Sequence, residues 1–394
     1  MSMASTRGGA SASSASSASS ASSASSTSSA SSALLASLLC TIFGACSQEY
    51  EVIGGPVDVD PADVLECDFS PISGTKFSVY DCNPVFSGTE EDWGEGFVSV
   101  GFRTQTVLGH PFYQIWYTAD DGDGAFGNYG LGYAVSGDGT HWETHEANPI
   151  IDDDRGWDAS QMDQVRVVWD SGIDQYVLAY QGFNTAAGTW GLGMFTSDDG
   201  VNWSEFNDGD PVLDFTRPAS TGVTYCWPVG FSWTEADGYS GFLGGQPPNG
   251  RNVCQIYAFQ GDDIEDGLKL GDDVVLRAGP GDYDAAGMAS AATVYYDGTW
   301  YMFYVGFESW VDQGTYQTSR NHSLNLATST DGISWEKDPD NPMPIALTRP
   351  GVIGEVAAQL VGSRIHLWIT DRYEDLDQSA VGYYLFEPDV PDHE

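Results

Sequence analysis

The chain contains a short sequence motif in several regularly spaced copies. Three copies end in a tryptophan, at Trp142, Trp203 and Trp335, and each has an Asp-Gly pair a few residues earlier. The tryptophans lie 61 and then 132 residues apart, and the larger interval equals two steps of 66. A degenerate copy occupies the missing step: Asp266-Gly267 is followed by Leu270, which stands in the place of the tryptophan. Repeats of this length are typical of tandem-repeat folds, in which each unit buries its apolar face against its neighbours.

One repeat reads as four short β-strands. In the second unit, apolar and aromatic residues over 164–168, 175–180, 191–195 and 201–206 indicate strands, and no helical periodicity interrupts them. Asp199-Gly200 separates the last two, and such a pair tolerates the positive φ of a tight hairpin. Four antiparallel strands per repeat are the pattern of a β-propeller blade.

The repeat spacing also predicts how many blades there are. A fifth tryptophan would fall near residue 400, beyond Glu394. Phe77 stands six residues before Asn83-Pro84, which is the spacing between Trp142 and Asn148-Pro149. We therefore expect an all-β, five-bladed β-propeller of four-stranded antiparallel blades, closed into a ring by an N-terminal strand. Closure removes exposed sheet edges. An open β-solenoid or a pair of β-sandwiches is the alternative.

The N-terminal region differs in composition from the repeats. Residues 1–45 contain an Ala/Ser run and then an apolar stretch at 34–45, which suits a signal peptide. Residues 43–46 resemble a bacterial lipobox, which predicts lipidation of Cys46; ordinary signal cleavage is the alternative. We expect a tether over 46–64 and the propeller over 65–394. The expected location is the bacterial cell envelope, lipid-anchored at the outer membrane, or outside the cell.

Charge and cysteine content limit the classes of partner. The chain has 57 acidic against 14 Lys and Arg residues, a net charge of −43, which argues against nucleic acid and polyanionic glycans. We expect a monomer without a cofactor or a metal site. Cysteines in an exported chain favour disulfides. The four cysteines that follow the predicted tether can pair in three ways. Of these, Cys67–Cys82 with Cys226–Cys254 closes the shortest loops.

Acidic residues recur before the predicted inner strands. Asp158 follows Trp157, Asp284 follows Tyr283, and Glu95 and Glu355 occupy matching places in blades one and five. Because inner strands converge on the propeller axis, these carboxylates are expected to line one funnel. The loops between second and third strands add further candidates on the same face, namely Glu308, Trp190, Trp310, Asp371 and Arg372.

Aromatic rings and carboxylates on one concave surface suit a sugar ligand. Rings stack on the apolar faces of sugars, and carboxylates accept hydrogen bonds from hydroxyl groups. The alternative is structural: a repeated Trp-Asp pair can be a packing device whose carboxylate binds backbone N–H groups.

Several segments resemble a known superfamily. They are YQIWY at 113–117, GYAVSGDGTHW at 132–142, GWD at 156–158, YMFYVG at 301–306 and LATSTDGISW at 326–335. Together they resemble the five-bladed propeller glycoside hydrolases of families 32, 43, 62, 117 and 130, over about residues 77–386.

The resemblance implies three catalytic carboxyl groups. An aspartate in blade one would be base or nucleophile, an aspartate in blade two would orient and tune the site, and a glutamate in blade three would be the acid. Asp158 matches the blade-two residue, and Glu95 stands where the blade-one aspartate is expected. Blade three offers no acid before its inner strand, so Glu308 or Glu355 would have to supply it. From their position on the same face, Asp284, Trp157 and the residues named above in the loops between second and third strands are the candidates for binding substrate.

Three functions are consistent with these sequence features. The first is a surface-tethered glycosidase that acts on a neutral oligo- or polysaccharide. The second is a carbohydrate-binding lipoprotein without catalysis. The third is a propeller that binds another protein.

Overall fold

The structure, a computed structural model, describes 15 separate stretches of the chain. These are residues 67–87, 96–107, 110–120, 130–152, 156–158, 161–184, 189–214, 224–234, 238–246, 253–264, 267–279, 281–312, 317–345, 352–372 and 380–389. The chain divides into two compact units, Met1–Val52 and Ile53–Glu394, and all described residues belong to the second. The predicted limits of the signal peptide and tether fall outside these residues and stay predictions. None of the helices found in the described stretches is long and apolar enough to cross a membrane.

The described residues form strands arranged in five antiparallel sheets. The N-terminal strands are β1 (Phe69–Pro71), β2 (Phe77–Tyr80) and β3 (Phe86–Ser87). Blade one contains β4 (Gly96–Val107), β5 (His110–Asp120), β6 (Gly130–Ser136), β7 (Glu143–Thr144) and β8 (Ile151–Asp152). Blade two contains β9 (Gln161–Asp170), β10 (Gln175–Asn184), β11 (Thr189–Ser197), β12 (Ser204–Glu205) and β13 (Leu213–Asp214).

The remaining blades follow the same order. Blade three contains β14 (Thr224–Thr234), β15 (Gly238–Gln246), β16 (Gln255–Gly261) and β17 (Lys269–Leu276). Blade four contains β18 (Gly287–Tyr296), β19 (Thr299–Asp312), β20 (Gln317–Ser329) and β21 (Glu336–Lys337). Blade five contains β22 (Val352–Val361), β23 (Arg364–Arg372) and β24 (Ala380–Phe386). Two 3-10 turns lie at Asn207–Gly209 and Asp282–Asp284.

The first strands of the five blades are neighbours in a closed cycle. β4 contacts β9, β9 contacts β14, β14 contacts β18, β18 contacts β22, and β22 contacts β4. These inner strands therefore surround one axis. The predicted fold class, a five-bladed β-propeller, is confirmed.

Blade five is completed by the N-terminal part of the described chain. β2 pairs antiparallel with β24, and Phe77 lies opposite Phe386 with their ring centroids 4.9 Å apart. β1 pairs in turn with β2, and a disulfide joins Cys67 to Cys82 across this hairpin. The predicted closure by an N-terminal strand is therefore confirmed. Cys254 is also in a disulfide, while the side chain of Cys226 lies outside the described residues.

The repeated Ser-x-Asp-Gly motif forms a turn that is tied by its own side chains. Ser136 Oγ accepts hydrogen bonds from the backbone N–H groups of Asp138 and Gly139, at 3.2 and 2.8 Å. Asp138 Oδ1 accepts one from Thr140 N at 2.8 Å, and Gly139 has a φ of +81°, which favours glycine. Burial raises the pKa of Asp138, but hydrogen bonds from His141 and Thr140 outweigh it and lower the pKa to about 2. The same contacts recur in blades two and four.

The Asn-Pro pairs attach the outer chain segment to the third strand of a blade. Asn148 Oδ1 accepts a hydrogen bond from Tyr133 N at 2.9 Å, and Asn148 Nδ2 donates to Tyr133 O at 3.0 Å. Asn341 binds Leu326 in the same two-point manner. Asn83 does so with Tyr383. The asparagine side chain thus makes the two hydrogen bonds that the backbone of a residue in a paired strand would make.

The outer strand of blade two is shorter than predicted. The sequence predicts a strand over 201–206, but only Ser204–Glu205 pairs with β11. The hydrogen bonds of Asp199 hold Val201 and Asn202 in the turn, and the Asn207–Gly209 turn follows directly. Hydrogen bonds of the flanking turns therefore compete with strand pairing at both ends of β12.

The hydrophobic core lies between adjacent blades. Phe102 of blade one stacks on Trp368 of blade five, with ring centroids 4.4 Å apart. Trp116 of blade one donates a hydrogen bond from Nε1 to Gly200 O of blade two, at 2.7 Å. Since each blade buries its faces against its neighbours, the folded ring should unfold as one unit.

A substitution of Phe77 tests the closing strand. Phe77 is 1% exposed and packs on Phe303 and Phe386. We expect Phe77→Ala to lower the free energy of unfolding by about 3–5 kcal/mol because it leaves a core cavity. Tyr295→Ala, at a side chain that is 52% exposed, is the control and should cost less than about 1 kcal/mol. Chemical denaturation measures both, and equal small losses would contradict closure by β2.

Candidate functional site

Arg166 lies on the propeller axis and connects four of the five inner strands. Its Nη1 donates hydrogen bonds to Val100 O, Val165 O and Glu355 Oε2, at 3.2, 2.8 and 3.0 Å. Its Nη2 donates to Ser290 Oγ at 3.1 Å and to Val356 O at 3.4 Å. These acceptors belong to β4, β9, β18 and β22. The guanidinium group therefore occupies the centre of the ring.

Glu355 is the predicted site residue that the structure places beside Arg166. Its carboxyl group is fully buried, and Oε2 also accepts a hydrogen bond from Val100 N at 3.4 Å. Its backbone N–H donates to Thr370 Oγ1 at 2.7 Å. Oε1 has no hydrogen-bond partner among the described residues. Burial raises the pKa of Glu355 to about 7; the charge of Arg166 lowers it and that of Asp163 raises it. Glu355 can therefore hold a proton near neutral pH.

Asp163 is a site residue that the sequence motifs did not indicate. It is buried near the start of β9, and its charge acts on the Glu355 carboxyl group. The next residue, Gln164, has a φ of +55°, which is rare for a residue other than glycine. Residues held in such a conformation are enriched at functional sites. The available signal was the pair of charged residues Asp163 and Arg166 in the middle part of an inner strand.

Asp158 lies within blade two and is bound by a tyrosine. It is fully buried, and Tyr180 of β10 donates a hydrogen bond from its hydroxyl group to Asp158 Oδ2 at 2.7 Å. A Cβ at Gly182 would lie 2.5 Å from the Asp158 Cβ, so this glycine makes room for the side chain. Trp157 stacks on Tyr180 and donates from Nε1 to Gly209 O at 2.6 Å.

Asp284 repeats this arrangement in blade four. It is fully buried, and Oδ2 accepts hydrogen bonds from Tyr304, at 3.4 Å, and from Lys337. Oδ1 accepts one from Gly279 N at 3.0 Å. Gly306 takes the place of Gly182, since its Cβ would lie 2.9 Å from that of Asp284. In both blades, the aspartate before the inner strand is held by a Tyr-x-Gly segment of the second strand. These contacts are those of a packing device.

The other predicted residues are spread over the ends of second and third strands. Trp190 stacks on Phe183, with ring centroids 4.4 Å apart. Trp310 lies edge-on to Phe307, and Glu308 is exposed and accepts a hydrogen bond from Asn321 Nδ2 at 2.7 Å. Asp371 and Arg372 lie at the end of β23, but their side chains are outside the described residues, as are Glu95 and Cys46. The catalytic and binding roles assigned to these residues stay predictions.

The polar groups on the axis do not form a metal site within the described residues. Among those residues, no group of three or more His, Cys, Asp and Glu side chains could hold a metal ion. What the axial groups can do is hold a proton on Glu355, whose pKa is raised by burial and by the nearby Asp163. A neutral carboxyl group coupled to a charged one is the arrangement that general acid and base catalysis requires.

Solved structures share this fold. The chain resembles a glycosyl hydrolase from Bacteroides ovatus with a TM-score of 0.54 at 16% identity, over 79% of this chain and 93% of that one. It resembles a β-1,2-mannobiose phosphorylase from Listeria innocua with a TM-score of 0.55 at 14% identity, over 78% and 96%. It resembles a family 117 glycoside hydrolase from Zobellia galactanivorans with a TM-score of 0.52 at 13% identity, over 83% and 92%.

The likeness to these proteins is one of fold. At such identities a structural match establishes the five-bladed propeller, and the expected resemblance in fold to the propeller glycoside hydrolases is confirmed. No protein-family model matches the chain, and no curated protein sequence does. The activity must therefore be inferred from the site itself.

Substitutions at Asp158 and Tyr180 separate a packing role from a chemical one. Asp158→Asn keeps the shape but removes a charge-assisted hydrogen bond, so we expect a loss of about 1–3 kcal/mol in unfolding free energy. Tyr180→Phe should cost a similar amount, and the double variant should lose less than the sum because both changes remove one interaction. The exposed Asp198 gives the control, Asp198→Asn. A negligible change in stability with Asp158→Asn would contradict the packing role.

Proposed function

We propose that this protein acts on carbohydrates and hydrolyses a glycosidic bond of a neutral oligo- or polysaccharide at the funnel end of its axis. The observation that carries this proposal is the pair formed by Glu355 and Asp163. The pKa of the buried Glu355 is about 7, and the charge of Asp163 helps to raise it. Both residues lie near the start of an inner strand, where the predicted funnel is.

The chemistry assigned to the pair is general acid and base catalysis. Glu355 in its neutral form donates a proton to the glycosidic oxygen as the bond from that oxygen to the anomeric carbon breaks. Asp163 accepts a proton from the water that attacks the anomeric carbon. Arg166, which is bonded to Glu355, orients the carboxyl group and counterbalances its charge after the proton has left. Proton exchange with solvent then restores both groups.

The structural relatives support a sugar as the ligand. The matched proteins include glycoside hydrolases and a phosphorylase whose complex contains β-1,2-mannobiose. The net charge of −43 supports a neutral polymer, because an acidic one would be repelled at long range. In this proposal Glu95 remains a candidate for an assisting role in the funnel.

A binding protein without catalysis is the second candidate. Asp158, Asp284 and Glu355 are each fully buried and engaged with neighbouring groups. A catalytic carboxyl group must reach its substrate, so burial of all three favours a protein that holds a sugar without cleaving it. Binding without turnover would support this candidate.

A polysaccharide panel tests the hydrolase. We expect reducing-sugar release from at least one neutral plant, fungal or algal polysaccharide, and we expect its rate to fall as the pH rises through about 7, because Glu355 must carry its proton. Glu355→Gln should reduce the rate by roughly 100-fold or more. Glu336→Gln, at an exposed position in β21, is the matched control and should keep full activity. A panel without release, or a Glu355→Gln variant with unchanged rate, would falsify the proposal.

We also propose that Cys46 carries a lipid that anchors the protein to the cell envelope. The support is the lipobox-like segment at residues 43–46, which follows an apolar stretch. Cys46→Ala should move the protein from the membrane fraction to the soluble fraction, and Cys40→Ala should not. Fractionation with immunoblotting measures this, together with mapping of the mature N-terminus. Unchanged partitioning of Cys46→Ala would reject lipidation at this residue.

A further inference from the structure

Blade four exposes a pair of aromatic side chains at the hairpin between its first two strands. Tyr295, near the end of β18, lies opposite Trp300, near the start of β19, and their ring centroids are 5.1 Å apart. Tyr295 is 52% exposed, and Trp300 is partly exposed. The proposed catalytic pair lies near the starts of inner strands, whereas this hairpin follows the end of one. The aromatic pair is therefore separate from the proposed active site.

The same position is buried in two other blades that carry the Ser-x-Asp-Gly turn. The second-strand residue opposite the serine of that turn is Tyr113 in blade one, Tyr176 in blade two and Trp300 in blade four. Both tyrosines are buried. The ring of Trp368, in blade five, lies 5.9 Å from that of Tyr113, and the guanidinium carbon of Arg103, in blade one, lies 5.1 Å from that of Tyr176. Each tyrosine is thus covered by a side chain of the preceding blade.

Trp300 lacks a corresponding cover within the described residues. Its ring contact there is with Tyr295 of the same blade, and neither the Trp300 indole N–H nor the Tyr295 hydroxyl group makes a hydrogen bond among those residues. A Cβ at Gly332 would lie 3.4 Å from Trp300 Nε1, so the Asp-Gly turn lies beside the indole. The next residue, Ile333, is 69% exposed. Large apolar side chains that stay exposed close together mark binding surfaces, whereas single ones need no explanation.

Carboxylates border this aromatic surface and limit what can cover it. Asp297, in the hairpin turn between the two rings, and Asp331, in the turn beside the indole, are both exposed. Hydrogen bonds from the backbone N–H groups of Ser334 and Ile333 hold the pKa of Asp331 below its usual range, so this group stays ionised. An apolar protein surface or a lipid layer over the rings would also remove these carboxylates from water, which is unfavourable.

A neutral sugar chain fits both features of this surface. Its C–H faces stack on aromatic rings, while its hydroxyl groups donate hydrogen bonds to carboxylates. An acidic polymer would be repelled by these carboxylates and by the net charge of −43. Neutral polysaccharides therefore match the surface better than acidic polymers, lipids or apolar protein surfaces do.

We propose that Tyr295 and Trp300 form a second carbohydrate-binding site, which holds a neutral polysaccharide chain on the face opposite the funnel. The sugar rings stack on the two aromatic side chains, and their hydroxyl groups donate to Asp297. The choice of ligand rests on the proposed function, but binding at this face requires no hydrolysis. Such a site keeps a long polymer at the protein and leaves the handling of short oligosaccharides unchanged.

Affinity gel electrophoresis tests this site with the neutral polymers galactomannan, arabinoxylan and laminarin and with the acidic polygalacturonate. The Cys46→Ala chain is used, so that the proposed lipid does not contribute. We expect at least one neutral polymer to retard the protein, and Tyr295→Ala to weaken that binding about three- to tenfold through loss of one stacking contact. Tyr295→Phe keeps the ring and should bind as the parent chain does. Ile173→Ala, at a 44% exposed side chain in the corresponding hairpin of blade two, is the matched control and should change nothing.

Hydrolysis of a trisaccharide of the bound polymer separates this proposal from the proposed function. Its rate should be the same with Tyr295→Ala, because the 10 residues of β18 place the aromatic pair about 30 Å from the funnel end. Polymer binding that depends on Tyr295 without any hydrolysis would reject the hydrolase and keep this site. Hydrolysis together with polymer binding that Tyr295→Ala leaves unchanged would reject this site and keep the hydrolase.

Each other outcome overturns the proposal. No retardation by any neutral polymer, tighter binding of polygalacturonate, or equal effects of Tyr295→Ala and Ile173→Ala would each reject the site. Sedimentation velocity and flotation with phosphatidylcholine vesicles test the other occupants: a dimer, or vesicle binding, that is lost with Tyr295→Ala would assign the surface to a second copy of the chain or to a lipid layer. Thermal melting by circular dichroism shows whether Tyr295→Ala is folded. If it is not, Asp297→Asn should weaken polymer binding several-fold; unchanged affinity would contradict the proposal.

Discussion

The guanidinium group of Arg166 is the interaction on which the centre of this propeller depends. It bonds to backbone carbonyl groups of three inner strands, to Ser290 Oγ on a fourth and to the carboxyl group of Glu355. Each of these acceptors is buried or nearly so, and would lose one hydrogen bond if the arginine were removed. A buried charge is tolerable only when its hydrogen bonds are made in this way.

The buried carboxyl groups Asp158, Asp284 and Glu355 are of two kinds, and their surroundings distinguish them. Asp158 and Asp284 each lie against a tyrosine and a glycine of the second strand of their own blade. Glu355 instead contacts groups from other blades, and it lies in the field of Asp163. The first kind stabilises a blade. The second kind places two titratable groups where five strands meet, which is a position suited to chemistry.

The distribution of charge over the molecule follows the same division. The chain is strongly acidic as a whole, yet Arg166 occupies the centre of the axis. Acidic residues such as Asp138 and Asp199 serve turns, where backbone N–H groups stabilise their charge. An arginine on the axis has no such local role, because it binds groups from several blades. Excess negative charge over the chain therefore disfavours a large polyanion at long range, but it does not describe the local charge at the axis.

Much of the architecture was predictable from the sequence because it depends on local chemistry. The Ser-x-Asp-Gly turns and the Asn-Pro pairs recur at a fixed period, and they indicate both the five blades and the closure by Phe77. Which acids meet on the axis was not predictable, because register shifts within the inner strands change which side chains point inward. The tertiary structure alone paired Arg166 with Glu355 and brought Asp163 within reach of it. Local patterns determine the strands and turns of one blade, but a contact such as that of Arg166 with Val356, 190 residues away, is decided only when the ring closes.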